Sequence, residues 1–140
     1  MINTSINMFY DKPIIGHGPN QFRNKCALER YSFDNLSCNT HPHNTYFQLL
    51  AEVGLLGTAP ILLILLYLIN MMIKKIKNFK NINFKQRHYQ KYLLLAMILS
   101  LWPFFPTQNF FNNYINIIYY LPVGFYLQSI YRNIKVHVES

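Results

Sequence analysis

Charge is scarce in this chain. Only 13% of its 140 residues are Asp, Glu, Lys or Arg, while 51% are hydrophobic. A soluble domain needs more charged surface and has no reason to cluster its apolar residues, so the composition argues against one. Acidic residues number five, and none lies between Lys74 and Lys91. Seven of the thirteen cations do lie there: Lys74, Lys75, Lys77, Lys80, Lys85, Arg87 and Lys91. The net charge of +8 is therefore concentrated directly after an apolar run. That is the pattern of a cytoplasmic loop beside a transmembrane span, and its cations also meet anionic lipid headgroups. No groove-reading motif accompanies the basic charge, which argues against nucleic acid as a partner.

Other features are missing at the start of the chain. Met1 to Tyr10 has no basic beginning and no long apolar centre, so no signal peptide is visible there. No apolar span precedes residues 1–48 either. Cysteine is limited to Cys26 and Cys38, which enclose 11 residues. In an oxidising compartment a disulfide is the simplest reading, and a loop of this size would be stabilised by roughly 3 kcal/mol. Two buried thiols are the alternative.

What the chain does have is a polar segment that runs without a break into an apolar helix. His41-Pro42-His43-Asn44 precedes Thr45-Tyr46-Phe47-Gln48, which fits a capping box followed by an apolar run. A helix is expected to begin at Thr45, with Gln48 and Glu52 marking its entry into the interface. Residues 55–73 carry no charge and approach the ~20 residues needed to cross ~30 Å of hydrocarbon. Pro60 is expected to kink this span. Gly54 and Gly57 lie on nearly one face and would let another helix approach closely. A second apolar run starts at Tyr92. It is interrupted by Pro103 and Pro106, and it is long enough to cross only if it extends through Phe111. Tyr114–Tyr131 is a third run, with Pro122 and Gly124 inside it. Upstream, Ile2, Ile6, Phe9 and Tyr10 share a helical face, so a short interfacial helix ending near Asp11-Lys12-Pro13 is expected. Gly16-His17-Gly18-Pro19 reads as a turn.

Orientation follows from the cations. Residues 74–91 and the tail with Arg132 and Lys135 are placed in the cytoplasm, while residues 1–48 and the turn near Pro106 share the outer side. The broken end of the second span then comes near the histidines.

Three readings of the histidine pair stand side by side. His43 lies just ahead of a helix start, where the positive end of the dipole disfavours a cation. A neutral histidine there can accept a proton, which makes His43 a candidate general base. Alternatively, His41 and His43 are polar interface residues bonded to the loop. A metal site would need Asp34 or Glu52 to complete the ligand set, and nothing in the spacing supports that. Arg23 suits an anionic, phosphate-bearing substrate and equally suits a solvated loop.

His43-Asn44, nine residues, then Gly54-Leu55-Leu56-Gly57-Thr58 resembles the signature of the O-antigen ligase and O-antigen polymerase superfamily of bacterial membrane glycosyltransferases. Pro13-Ile14-Ile15-Gly16-His17-Gly18 looks like the Pro-x-x-Gly-x-Gly stretch of that family's large periplasmic loop. Pro106-Thr107-Gln108-Asn109-Phe110-Phe111-Asn112-Asn113 looks like the segment before its final helix. The resemblance implies transfer of a glycan from an undecaprenyl-pyrophosphate carrier to a hydroxyl of lipid A core, another glycan or a protein. This is a step of lipopolysaccharide or polysaccharide biosynthesis at the periplasmic face of the bacterial inner membrane. It implies no metal and no nucleotide cofactor. His43 takes the base role, and Arg23, His41 and Asn44 are candidate substrate-binding residues. Family members have roughly ten or more spans, so this chain is expected to be the C-terminal part alone.

The expected fold is an all-α, multi-pass integral membrane protein. Residues 1–48 form a periplasmic loop region with short helices, and residues 49–140 form a bundle. Its spans are expected near 55–73, 92–111 and 114–131, with a basic cytoplasmic loop at 74–91. The alternative is a non-catalytic, truncated membrane module that packs against partner helices through Gly54 and Gly57.

Overall fold

The computed structural model describes residues 1–32, 38–77 and 84–138, the side chains of 84–87 and 132–138 excepted. Among the described residues every regular element is a helix, with no strand. Five helices follow in order: α1 (Ile2–Asp11), α2 (Phe22–Lys25), α3 (Thr45–Lys77), α4 (Phe84–Ser100) and α5 (Asn113–Val138). The chain divides into two compact units, residues 1–64 with 103–116, and residues 65–102 with 117–140.

The first unit carries the polar segment. Pro13 follows the end of α1, and the helix closes with the Lys12 N–H on the Met8 carbonyl at 3.3 Å. The buried face of α1 is Thr4, Ser5 and Met8, not the Ile2, Ile6, Phe9 and Tyr10 face expected from periodicity. Ile2 and Tyr10 are exposed. The small side chains of Thr4 and Ser5 leave Met8 free to pack with Phe22, Cys26, Tyr31 and Ala51, which form the core of this unit. Apolar periodicity marks a face that avoids water, and here it is not the face the core uses.

α3 starts at Thr45 as expected, but the capping differs. Asn44 is the cap: its Oδ1 accepts the Tyr46 N–H at 3.0 Å and the Phe47 N–H at 3.3 Å. Thr45 instead donates its hydroxyl to Thr107 Oγ1. The break in α3 lies at Gly54 (φ 62°, ψ −163°), and Pro60 sits in helical backbone beyond it. The surface past the break is apolar, with Leu55, Leu56, Leu63, Leu66 and Tyr67 all exposed. Such a surface suits hydrocarbon better than water.

In the second unit, Leu94, Met97 and Tyr126 form the core, with Leu68, Met71, Met72, Leu93, Val123 and Ile130 packed around them. Here the end of α3 meets α4 and α5. The basic stretch expected as a loop over 74–91 is largely helix, since α3 runs to Lys77 and α4 begins at Phe84. Residues 78–83 and the side chains of Lys85 and Arg87 lie outside the described set. The second apolar run is shorter than expected. α4 ends at Ser100, and Leu101 and Trp102 close it with tightened turns onto the carbonyls of Ile98 and Leu99. Pro103 disfavours helical backbone at Trp102 and has no N–H to continue the ladder. Residues 103–112 are therefore non-helical. Among the described residues, one helix, Thr45–Lys77, is long and apolar enough to cross a membrane. α4 has 17 residues with a polar first half, and asparagines and tyrosines dilute α5.

Candidate functional site

Three segments of the first unit meet around the start of α3: residues 13–23, residues 38–53 and residues 103–112. The first two interlock at the break in α3. The His17 N–H bonds the Ala51 carbonyl at 3.1 Å and the Gly18 N–H bonds the Glu52 carbonyl at 2.7 Å. In return the N–H groups of Leu55 and Leu56 bond the carbonyls of Pro13 and Ile14 at 2.8 and 3.0 Å. A helix broken in the middle exposes carbonyls on one side and N–H groups on the other. One loop satisfies both sets. This requires the two backbones to touch, which is why Gly16 (φ 67°) and Gly54 carry no side chain. The neighbour that Gly54 admits is this loop rather than another helix. Gly57 faces the side chain of Val53 in its own helix.

A buried polar node ties in the third segment. Glu52 is fully buried, and its Oε1 accepts the Phe22 N–H at 2.7 Å. The Gln48 amide donates to Glu52 Oε2 at 3.0 Å and to Asn109 Oδ1 at 2.6 Å, while its oxygen accepts the Phe110 N–H at 3.0 Å. Asn109 in turn donates to Asn20 Oδ1 at 3.1 Å. Sequence reasoning treated Gln48 and Glu52 as markers of an interface. They are the centre of the network. Glu52 turns to Phe22 and Gln48, so it does not complete a metal site with the histidines, and Asp34 lies outside the described residues.

The histidines sit at the edge of this framework. His43 is exposed and has a left-handed backbone (φ 57°), which no glycine relieves. Its carbonyl accepts the Thr107 N–H at 3.0 Å, and Asn44 donates its side-chain amide to the Pro103 carbonyl at 2.8 Å. The turn from 103 to 107 thus holds the backbone at the site, and a strained residue held from outside is a common device at functional positions. The rings of His41 and His43 lie 4.3 Å apart. His41 is buried; its Nδ1 meets Thr40 Oγ1 at 3.0 Å, and its Nε2 has no hydrogen-bond partner among the described residues. Burial pushes the His41 imidazole below its ordinary pKa; nearby His43 and Arg23 act the same way, and the Thr107 backbone acts against them. Arg23 is exposed on α2, near enough for its charge to reach both His41 and Glu52.

Cys26 and Cys38 are bonded, with Cα atoms 5.0 Å apart. The bridge ties the segment that leads into the histidines to the core through Cys26. A second, separate histidine lies within the glycine turn. His17 has a side chain that is 0% exposed. Its Nε2 lies 3.0 Å from the Met8 carbonyl and its Nδ1 lies 3.2 Å from Lys25 Nζ. A carbonyl only accepts, so Nε2 carries the proton and Nδ1 accepts from the lysine. Burial lowers the His17 pKa, Lys25 adds to the effect, and Asp11 at 3.5 Å works against it.

The first unit is thus a helix-start site with an exposed histidine, a nearby arginine and an apolar helix leading away. Residues 1–62 match the family model described as O-Antigen ligase. The His43-Asn44 and Gly54-x-x-Gly57-Thr58 signature lies within that matched part of the chain. No curated protein and no solved structure matches the chain.

Proposed function

We propose that this chain is the C-terminal part of an enzyme that transfers a glycan from an undecaprenyl-pyrophosphate carrier to an acceptor hydroxyl. The reaction takes place at the periplasmic face of the bacterial inner membrane. The observation that carries the reading is the His43-Asn44, Gly54-x-x-Gly57-Thr58 signature, which falls inside the matched residues 1–62. Residues 1–48 then form the periplasmic region and residues 49–140 a multi-pass bundle, with the cations of residues 74–91 in the cytoplasm.

In this mechanism His43 takes the proton of the acceptor hydroxyl. The acceptor oxygen attacks the anomeric carbon from the face opposite the leaving group, and the bond from that carbon to the pyrophosphate oxygen breaks. The product is inverted at that carbon, and the carrier leaves as undecaprenyl pyrophosphate. Arg23 supplies positive potential for the pyrophosphate, and His41, against the ring of His43, is a further polar contact for the substrate. Asn44 holds the helix start behind the base. The acceptor is lipid A core, another glycan or a protein. The exposure of His43 supports a base that must meet a large acceptor. The loop that already fills the space at Gly54 weighs against the packing-module alternative.

The test is His43→Ala in a complete version of the enzyme. Glycan transfer is expected to fall by at least ~100-fold, the usual share of one general base, with membrane expression unchanged. Retained activity would overturn the assignment.

A further inference from the structure

Asn39 stands between the disulfide and the exposed histidine. Its neighbour Cys38 is bonded to Cys26, so its backbone is tied to the core. Among the described residues its side chain makes two contacts. Oδ1 accepts the Thr40 N–H at 2.7 Å, and Nδ2 lies 3.2 Å from His43 Nε2. The first contact decides the second. A backbone N–H only donates, so the amide atom facing Thr40 must be the oxygen. Turning the amide over would set two donors against each other. The atom facing His43 is therefore the NH2 group, which also only donates. A neutral His43 then offers its lone pair at Nε2 and carries its proton on Nδ1. The ring is also steadied by His41 alongside it, and its backbone by Thr107.

We propose that Asn39 is a positioning residue for His43, selecting the tautomer whose Nε2 is basic and holding that nitrogen until an acceptor hydroxyl replaces the amide. The proposal rests on His43 being the base. Exchange at Nε2 swaps one neutral donor for another, so handing the lone pair to the substrate costs little. Without Asn39 the exposed ring would sample both tautomers and turn freely about its side-chain bonds. The disulfide acquires a purpose in this scheme, because it fixes the residue that fixes the ring.

The test reads the tautomer directly. The full chain, carrying nitrogen-labelled histidine, is placed in lipid nanodiscs and observed by NMR at a pH where His43 is neutral. Its signals are assigned with His43→Gln. The expected result is an unprotonated Nε2 and a protonated Nδ1. In Asn39→Asp one carboxylate oxygen still accepts the Thr40 N–H, and the other now faces Nε2 as an acceptor. The proton is expected to move to Nε2. Among the described residues, His41 lies against the ring, and His41→Gln separates its signals from those of His43. A wild-type ring protonated at Nε2, or an Asn39→Asp ring with the wild-type tautomer, overturns the proposal. The measurement needs no glycan, so a failed His43→Ala transfer assay would leave this result standing, and the reverse also holds.

Discussion

Gly16 and Gly54 occupy one crossing point from opposite sides: a Cβ on Gly16 would strike the backbone of Glu52 and Val53, and a Cβ on Gly54 would strike Ile14 and Gly16. The two glycine motifs of the signature are therefore one device. Either glycine alone would not allow the loop and the broken helix to exchange their hydrogen bonds. Gly54→Ala is expected to cost more than about 2 kcal/mol, since it adds left-handed strain to a backbone collision. Gly124→Ala is the control. Nothing lies within 4 Å of its added Cβ, and alanine in a helix interior should be neutral or stabilising by up to about 1 kcal/mol. Thermal unfolding in nanodiscs measures both, and equal shifts for the two variants would sink the account.

The Gln48–Asn109 bond joins residues 61 apart in sequence and should be energetically coupled. Removing Asn109 leaves one donor of a buried amide without its partner, at an expected cost of about 1–3 kcal/mol. A double-mutant cycle of Gln48→Ala and Asn109→Ala is expected to give a coupling of about 0.5–3 kcal/mol. The Phe22 amide gives a local readout, since Glu52 loses its Gln48 donor when Gln48 is replaced and its hold on Phe22 loosens. Faster hydrogen exchange at Phe22 should accompany Gln48→Ala. Strictly additive effects would mean the node is a set of independent bonds.

Acid should weaken the first unit through its buried histidines. His17 and His41 both have folded pKa values lowered by burial. The unfolded chain, with histidines near ~6.5, therefore binds more protons than the folded one as pH falls through that value. Stability is fully present above pH ~6.5 and declines below it, continuing toward the lowered folded values. The melting temperature is expected to drop between pH 7.5 and 5, and His17→Gln with His41→Gln should flatten that slope. An unchanged slope in the double variant would show that these imidazoles are not the cause.

Local signals in the sequence were enough to locate α1, the start of α3 and the third apolar run. Pro13 ends α1, and a polar cap ahead of an apolar run begins α3. Those are events within a few residues, which periodicity and turn chemistry detect. The break at Gly54 was not legible, because two glycines three apart occur equally in unbroken helices. Only the loop that enters there, about 40 residues upstream, converts Gly54 into a break. Gln48 and Glu52 looked like polar decoration on a helix entering an interface for the same reason: their partners Phe22 and Asn109 lie far away in sequence. Asn39 is not legible from sequence, because its meaning depends on which amide atom faces Thr40, and no spacing encodes that. His43 was singled out by a family pattern, while its left-handed backbone is a property of the fold around it.

The hold of Thr107 on His43 has a consequence for how the protein is made. Thr45 and Thr107 are 62 residues apart, and α3 and α4 both lie between them. A nascent chain therefore presents its histidine long before the segment that fixes it has left the ribosome. Pairings this distant form late and slowly. Until residue 107 arrives, the ring has no settled backbone and the Pro103 carbonyl is not there to receive Asn44. A ribosome stalled anywhere short of that point would release a chain that has the histidine and lacks the site. Under the proposed function, such an incomplete chain would be silent with no inhibitor needed.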